Sequence, residues 1–349
     1  MREFDPHPFF VAGCPSQLRV NKFSPHPWLR NRHAMTLAGA LWPRPALNSG
    51  GRLPAVEDRL FEVEPGTQLL ARCQWQARPR ECATLVMVHG LEGSSESAYM
   101  RGLAEKAFVS GMNVLRVNQR TCGGTEALTP TLYGSGLSGD YRAILEELLG
   151  RDRLPALYFA GYSMGGNLVL KMAGELGAAA PPELRGVCAV CPTMELEACV
   201  EAIEGPGNAL YQWNFVRGLK ARMRRKARLF PGCFPLDGLE RLRTLREFDD
   251  AITAPHFGYR DAADYYYRAS ACRVVRQVAV PALILTAQDD PVVPFRIFEG
   301  PEVRGNRQIT LLAPEHGGHC TFISRWAGWE RFWAEARVVE FCKAARGKC

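Results

Sequence analysis

Apolar and polar positions follow two rhythms along this chain. Between residues 59 and 193, and again from 276 to 349, short continuous apolar runs alternate with longer stretches of helical period. The run at 83–88, Ala-Thr-Leu-Val-Met-Val, lacks a polar face, as a strand covered on both sides requires. Residues 113–118, 156–160, 187–190, 282–286 and 308–312 read the same way. Residues 98–110, 139–149, 164–176 and 321–344 repeat apolar side chains at helical spacing, so the last of these is expected to be one long terminal helix. Ahead of them, 59–64 and 69–75 are expected to pair as a hairpin about Pro65-Gly66. Strands alternating with helices predict an α/β fold, a mostly parallel sheet with helices on both faces.

Two stretches stand outside that rhythm. Residues 1–58 are rich in proline, from Pro6 and Pro8 to Pro43, Pro45 and Pro54, and are expected to wrap the domain as an N-terminal arm. Residues 194–275 are helix-like, rich in Arg and Tyr, and fall between two expected core strands. An insertion of that kind reads as a helical cap, or lid, over a core made of 59–193 and 276–349.

Composition narrows the class. Of 349 residues 47% are hydrophobic and 23% charged, a balance that excludes wholesale disorder. The net charge of +7 is too thinly spread to imply a nucleic-acid partner. Twelve cysteines are too few for a disulfide scaffold, and the one Cys-x-x-Cys pair, Cys188 and Cys191, lies in an apolar strand run with no second pair at zinc-site spacing. Buried thiols favour a reducing, cytoplasmic setting. The N-terminus lacks the charge-then-apolar order of a cleaved signal, and no stretch of about 18 apolar residues predicts a membrane span.

The sharpest chemical signal is Gly161-Tyr162-Ser163-Met164-Gly165, set between an expected strand and an expected helix. Strand, Gly-x-Ser-x-Gly and helix together make a turn that lifts a serine nucleophile above the sheet at a helix N-terminus. There the Met164 N–H is placed to hold an oxyanion. A serine hydroxyl needs a base to take its proton. In the chain order Ser, Asp, His, the acid follows the strand at 282–286, where Asp289 and Asp290 are both candidates. Asp290 heads a Pro-containing turn and is the expected triad acid, while Asp289 is expected to accept backbone N–H groups. The base follows the strand at 308–312. His319 is chosen over His316 because it is expected to open the terminal helix behind a Gly pair, Gly317-Gly318. The second oxyanion donor is expected from the loop His89-Gly90-Leu91-Glu92-Gly93-Ser94, as the Leu91 N–H, with His89 structural. The glycines near Cys122 lack a Gly-Lys-Ser/Thr ending and do not form a P-loop. Seven bases between Arg217 and Arg228 are read as a solvated helix face, and Tyr265-Tyr266-Tyr267 as packing within the cap.

These segments together resemble the YheT-like family of α/β-hydrolases. The likeness rests on Asn31-x-His33-x-x-Thr36, the loop from His89 to Ser95, Asn118-Gln119-Arg120-Thr121 with Thr where the family has Gly, Phe248-Asp249-Asp250, Asp290-Pro291 and Gly317-Gly318-His319. It implies an α/β-hydrolase fold with Ser163, Asp290 and His319 as a triad that hydrolyses carboxylic esters, needing neither a metal nor an organic cofactor. The expected partner is a small-molecule ester of short to medium acyl chain; neither nucleic acid nor membrane contact is expected. Leu210, Tyr211, Trp213, Phe215 and Tyr265 are candidates to line an acyl slot. Three alternatives use the same fold: an acyltransferase, a phospholipase docking through the basic run, and a binding protein without catalysis.

Overall fold

The computed structural model of the protein describes residues 21–42, 44 and 55–346. Its eight-stranded sheet comprises β1 (Glu57–Glu64), β2 (Thr67–Gln74), β3 (Thr84–Val88), β4 (Asn113–Val117), β5 (Leu157–Tyr162), β6 (Leu184–Val190), β7 (Ala282–Leu285) and β8 (Ile309–Leu312). The spatial order is β1-β2-β4-β3-β5-β6-β7-β8, and only β2 runs against its neighbours. The helices are α1 (Arg32–Leu41), α2 (Ala98–Val109), α3 (Ser138–Gly150), α4 (Met164–Leu176), α5 (Leu196–Glu204), α6 (Ala209–Leu229), α7 (Leu245–Phe248), α8 (Ala254–His256), α9 (Ala262–Ala269), α10 (Pro301–Arg304) and α11 (Trp333–Arg346). This is the expected α/β architecture, with the hairpin β1–β2 at one edge.

Strands β3 to β8 are buried almost throughout because both faces are covered, whereas the edge strand β1 keeps Glu57, Asp58, Glu62 and Glu64 exposed. Along β3, Val86 and Val88 pack with Ile144 of α3 and Leu168 of α4, while Leu85 and Met87 pack on the other side with Leu103 of α2 and Phe341 of α11. Successive side chains alternate across a strand, so one run supplies both cores. No described helix is long and apolar enough to cross a membrane.

The terminal helix is shorter than its sequence suggests. It starts at Trp333, and residues 321–332 are not one helix. Ile323 instead forms a bridge with Phe332 and Ser324 with Pro25, while Cys320 and Phe322 sit at φ +62 and +45, which no right-handed helix admits. His319 therefore lies in a loop and does not open a helix.

The described part of the arm is built against the core. Asn31 caps α1 by accepting from the His33 and Ala34 N–H groups at 3.0 and 3.1 Å, and Met35 is buried in the core that holds α2 and α11. The final two residues of the expected arm begin β1, and residues 1–20, 43 and 45–54 lie outside the described residues.

The helices α5 to α9 fill the insertion between β6 and β7. Its basic run is a solvated face only in part: Arg217, Arg224 and Arg228 are exposed, whereas Lys220, Arg222 and Lys226 are buried. Val216, Leu219 and Met223 of α6 turn toward the core, and Arg222 and Lys226 follow each of the last two by three residues, on the same side. Arg222 Nε meets Glu92 at 3.1 Å and its guanidinium donates to Thr121 O; Arg225 meets Glu126 at 2.7 Å; Lys226 donates to Glu126 O at 2.9 Å and to Thr129 O. Burial lowers the Lys226 pKa to about 8 despite Glu126 nearby. Lys220 and Arg224 engage Glu240. Arg222, Arg225 and Lys226 thus tie α6 to the loops that follow β3 and β4, while Lys220 and Arg224 hold it to the turn at Glu240.

Candidate active site

Ser163 occupies the junction between the end of β5 and the start of α4, at φ +52 and ψ −118. A non-glycine residue held there costs about 1–3 kcal/mol and must be fixed by its surroundings. Its N–H donates to Val190 O at 2.8 Å, and its carbonyl accepts from Asn167 N–H at 3.1 Å. The flanking glycines are required by close approach. A Cβ on Gly161 would stand 2.0 Å from Gly165 O, and one on Gly165 would stand 2.4 Å from Val88 O.

Three loops at the ends of β5, β7 and β8 bring Ser163, Asp290 and His319 into one line. His319 Nε2 is 3.0 Å from Ser163 Oγ, and its Nδ1 is 2.9 Å from Asp290 Oδ2. A carboxylate on Nδ1 fixes the proton there and leaves Nε2 as an acceptor for the serine proton. Asp290 is buried and held by its own turn, since Oδ1 accepts from the Val292 and Val293 N–H groups at 2.8 and 3.0 Å. Burial works to lower the His319 pKa, but the charge and hydrogen bond of Asp290 outweigh it and raise it.

The neighbouring Asp–His pair is different. Asp289 accepts from Gly318 N–H at 3.1 Å and lies 3.2 Å from His316 Nδ1, whose side chain is half exposed. It thus closes the loop behind His319, as expected of an acceptor of backbone N–H groups. Thr36 of α1 adds a second support, accepting from the His319 N–H at 2.9 Å. Reasoning from the spacing of strands missed Thr36; the signal available was the Asn31-x-His33-x-x-Thr36 pattern.

Leu91 and Met164 flank Ser163 on the wall of one cavity. Met164 opens α4, where first-turn N–H groups lack a partner within the helix. The loop holding Leu91 is braced from below. His89 is fully buried, with Nδ1 at 2.8 Å from Gly90 O and Nε2 accepting from Gln119 N–H at 3.1 Å. Burial, with the Arg222 charge adding to it, lowers its pKa to about 4, so it stays neutral and structural. Asn118 Oδ1 accepts from Ser95 N–H at 2.8 Å, and Arg120 grips Asp140 with two hydrogen bonds of 2.8 and 2.5 Å. Thr121 follows at φ +64, a conformation glycine adopts without cost, which gives a physical reason for glycine at this place.

The cavity over Ser163 is walled mainly by apolar groups. Leu132 and Tyr133 line it from the core, and Cys199, Ile203, Phe215 and Leu219 from the inserted helices. Of the five slot candidates only Phe215 and Tyr265 reach it. Leu210 and Trp213 are about three-fifths exposed, at 60% and 57%, and Tyr211 turns to His33, its hydroxyl 3.2 Å from Nδ1. In the tyrosine run, Tyr265 and Tyr266 are packed and Tyr267 is exposed. Tyr266 donates to Asp249 at 2.8 Å on the cavity wall, where burial raises the aspartate to about 6.

Comparison with known proteins places this chain among the alpha/beta hydrolases. The pattern described as the alpha/beta hydrolase family matches residues 85–331. The Escherichia coli (strain K12) protein YheT, whose name marks it provisionally as an esterase, is 35% identical over 77% of this chain and 77% of its own. A mouse protein named as phospholipase ABHD3 is 28% identical over 69% of this chain, which spans 58% of the mouse protein. Among solved structures, the Pyrococcus furiosus esterase Pf2001 superposes with a TM-score of 0.54 at 15% identity, covering 94% of this chain and 100% of the esterase. At that identity the likeness shows the fold alone.

Proposed function

The chain belongs to the alpha/beta hydrolase family, and from that premise we propose that it hydrolyses carboxylic esters through Ser163, His319 and Asp290, with residues 194–275 as the cap. The observation that carries this reading is the continuous line from Asp290 through His319 to Ser163 Oγ, with contacts of 2.9 and 3.0 Å, at the floor of an apolar cavity. His319 Nε2 takes the serine proton as Oγ attacks the ester carbonyl. The carbonyl oxygen, now an oxyanion, is held by the Leu91 and Met164 N–H groups, each worth about 3 kcal/mol in such a site. His319 passes the proton to the departing alcohol, leaving the acyl group on Ser163. Water then enters, gives its proton to His319, and releases the acid. Asp290 keeps the imidazole oriented and stabilises its charged form throughout.

The cavity sets the acyl length. Its free volume is about 90 Å³. A cavity of this size suits a short to medium chain rather than a long one. Each methylene that enters gains about 0.8 kcal/mol, roughly fourfold. Across a series of aryl esters kcat/KM is therefore expected to climb with chain length and fall once the cavity is full.

A second reading, a phospholipase acting at a bilayer, is favoured by Leu210 and Trp213 on the outer side of α6, where Arg217 stacks 4.9 Å above the Trp213 ring. Running the ester panel with and without anionic vesicles separates the two. No response to vesicles fits the proposed enzyme. A rate jump on vesicles of long-chain phospholipid, abolished by high salt, would replace it with the phospholipase.

A further inference from the structure

Two thiols stand beside His319 and take no part in the chemistry above. Cys191 follows β6 directly and is buried; Cys320 follows His319, is half-buried, and lines the mouth of the site with Ser163. The Cys320 N–H donates to Cys191 Sγ at 3.3 Å. One ligand atom from each of Cys191, His319 and Cys320 lies within 4.8 Å of the other two. Both cysteines are held in left-handed backbone, at φ +46 and +62. Side chains rarely adopt that conformation, and clusters of it mark functional sites.

We propose that Cys191, Cys320 and His319 form a binding site for a thiophilic divalent cation of the zinc class, and that its occupancy switches hydrolysis off. Such an ion takes thiolate sulfur at about 2.3 Å and imidazole nitrogen at about 2.0–2.1 Å in a tetrahedral shell. Ligand atoms of that shell are about 3.5–3.8 Å apart, so the three groups here close on an ion by drawing in about 1 Å. The fourth position faces the mouth and is filled by water. Each thiol releases its proton to solvent as its sulfur–metal bond forms, and no electron moves. Two sulfur donors select zinc or cadmium over magnesium or calcium, which prefer oxygen.

The switch follows from how His319 is already used. Nδ1 is engaged by Asp290 and Nε2 by Ser163, so an ion must displace one of them. Losing Ser163 removes the base from its nucleophile; losing Asp290 removes the group that orients the ring. Only this second half of the inference rests on the proposed hydrolytic role of His319. The site itself stands on the cluster.

Cadmium is the probe, with a phosphine reductant that keeps thiols reduced without adding a thiol ligand. The protein is expected to develop cadmium–thiolate charge-transfer absorption that saturates at one ion for the site, and zinc is expected to compete it away. Cys191→Ser and Cys320→Ser, each checked for folding by circular dichroism, are expected to lose that increment, leaving the background from other cysteines such as the exposed Cys233. In parallel, zinc is expected to inhibit ester turnover and a chelator to restore it. In Cys320→Ser the inhibitory midpoint is expected to rise at least tenfold, measured against that variant's own metal-free rate. Equal cadmium absorption in the wild type and both variants would overturn the site. Saturable binding at the two thiols with turnover unchanged would overturn the switch. A protein that binds cadmium at both thiols but hydrolyses no ester would confirm the site while contradicting the proposed function.

Discussion

Replacing Asp290 by Asn is expected to lower turnover by about 10⁴-fold while leaving the protein folded. The carboxylate does two things that an amide cannot. It accepts from Nδ1–H of His319 at 2.9 Å, fixing the tautomer with a free Nε2, and it stabilises the ring's positive charge as Ser163 loses its proton. An amide can turn its NH₂ toward Nδ1 and hold the wrong tautomer, in which Nε2 carries the hydrogen and cannot act as base. The fold is expected to survive, because the amide that replaces the carboxylate keeps one oxygen for the Val292 and Val293 N–H groups that anchor the turn. Asp289→Asn is the matched control. Its partners are one backbone N–H, which an amide oxygen still satisfies, and a half-exposed His316 in a pair of the kind worth about 0–1 kcal/mol. Its turnover is expected to stay within about tenfold of the wild type. Steady-state kinetics on both folded variants decides the matter, and the reverse ranking would move the acid to Asp289.

Gly165→Ala is expected to cost about 3 kcal/mol of stability and at least about 100-fold in turnover. The new methyl would stand 2.4 Å from Val88 O and 2.5 Å from His89 O, both backbone atoms that cannot rotate away. Helix α4 would have to back off from β3, carrying Ser163 and the Met164 N–H with it. Misplacement by about 1 Å is enough to cost about two orders of magnitude in rate. Gly139→Ala in α3 is the contrast, because a Cβ there meets nothing within 4 Å. It is expected to be neutral or to stabilise by up to about 1 kcal/mol, from helix propensity alone. Urea midpoints and kcat for the two variants test the pair; equal midpoints would contradict the close packing of α4 on β3.

What the sequence made legible was local. Ser163 could be found because a strand, a Gly-x-Ser-x-Gly turn and a helix are contiguous, and their identity survives whatever packs around them. Asp290 and His319 were legible at one remove, as polar residues in the loops that follow apolar strand runs. The start of α11 was not, because residues 321–332 have helical spacing but are pinned by partners on both sides, with Ile323 bridging Phe332 and Ser324 bridging Pro25. The support of His319 by Thr36 spans 283 residues; the Asn31-x-His33-x-x-Thr36 pattern marks Thr36 but does not say which residue it meets. The basic run misled in part, for a similar reason. Charge composition favours a solvated face, but the period of Val216, Leu219 and Met223 already puts Arg222 and Lys226 on the apolar side, where they needed buried partners. Those partners, Glu92 and the carbonyls of Glu126 and Thr129, come from distant loops that only the fold brings beneath α6.

The central claim is that Ser163 is an activated nucleophile, and a fluorophosphonate tests it most directly. The reagent phosphonylates a serine only where a base removes its proton and an oxyanion site receives the developing charge. One adduct per chain is expected, located by peptide mass spectrometry on Ser163, with labelling and aryl-ester turnover both lost in Ser163→Ala. A folded Ser163→Ala variant that still labels, or that keeps wild-type turnover, would contradict the account.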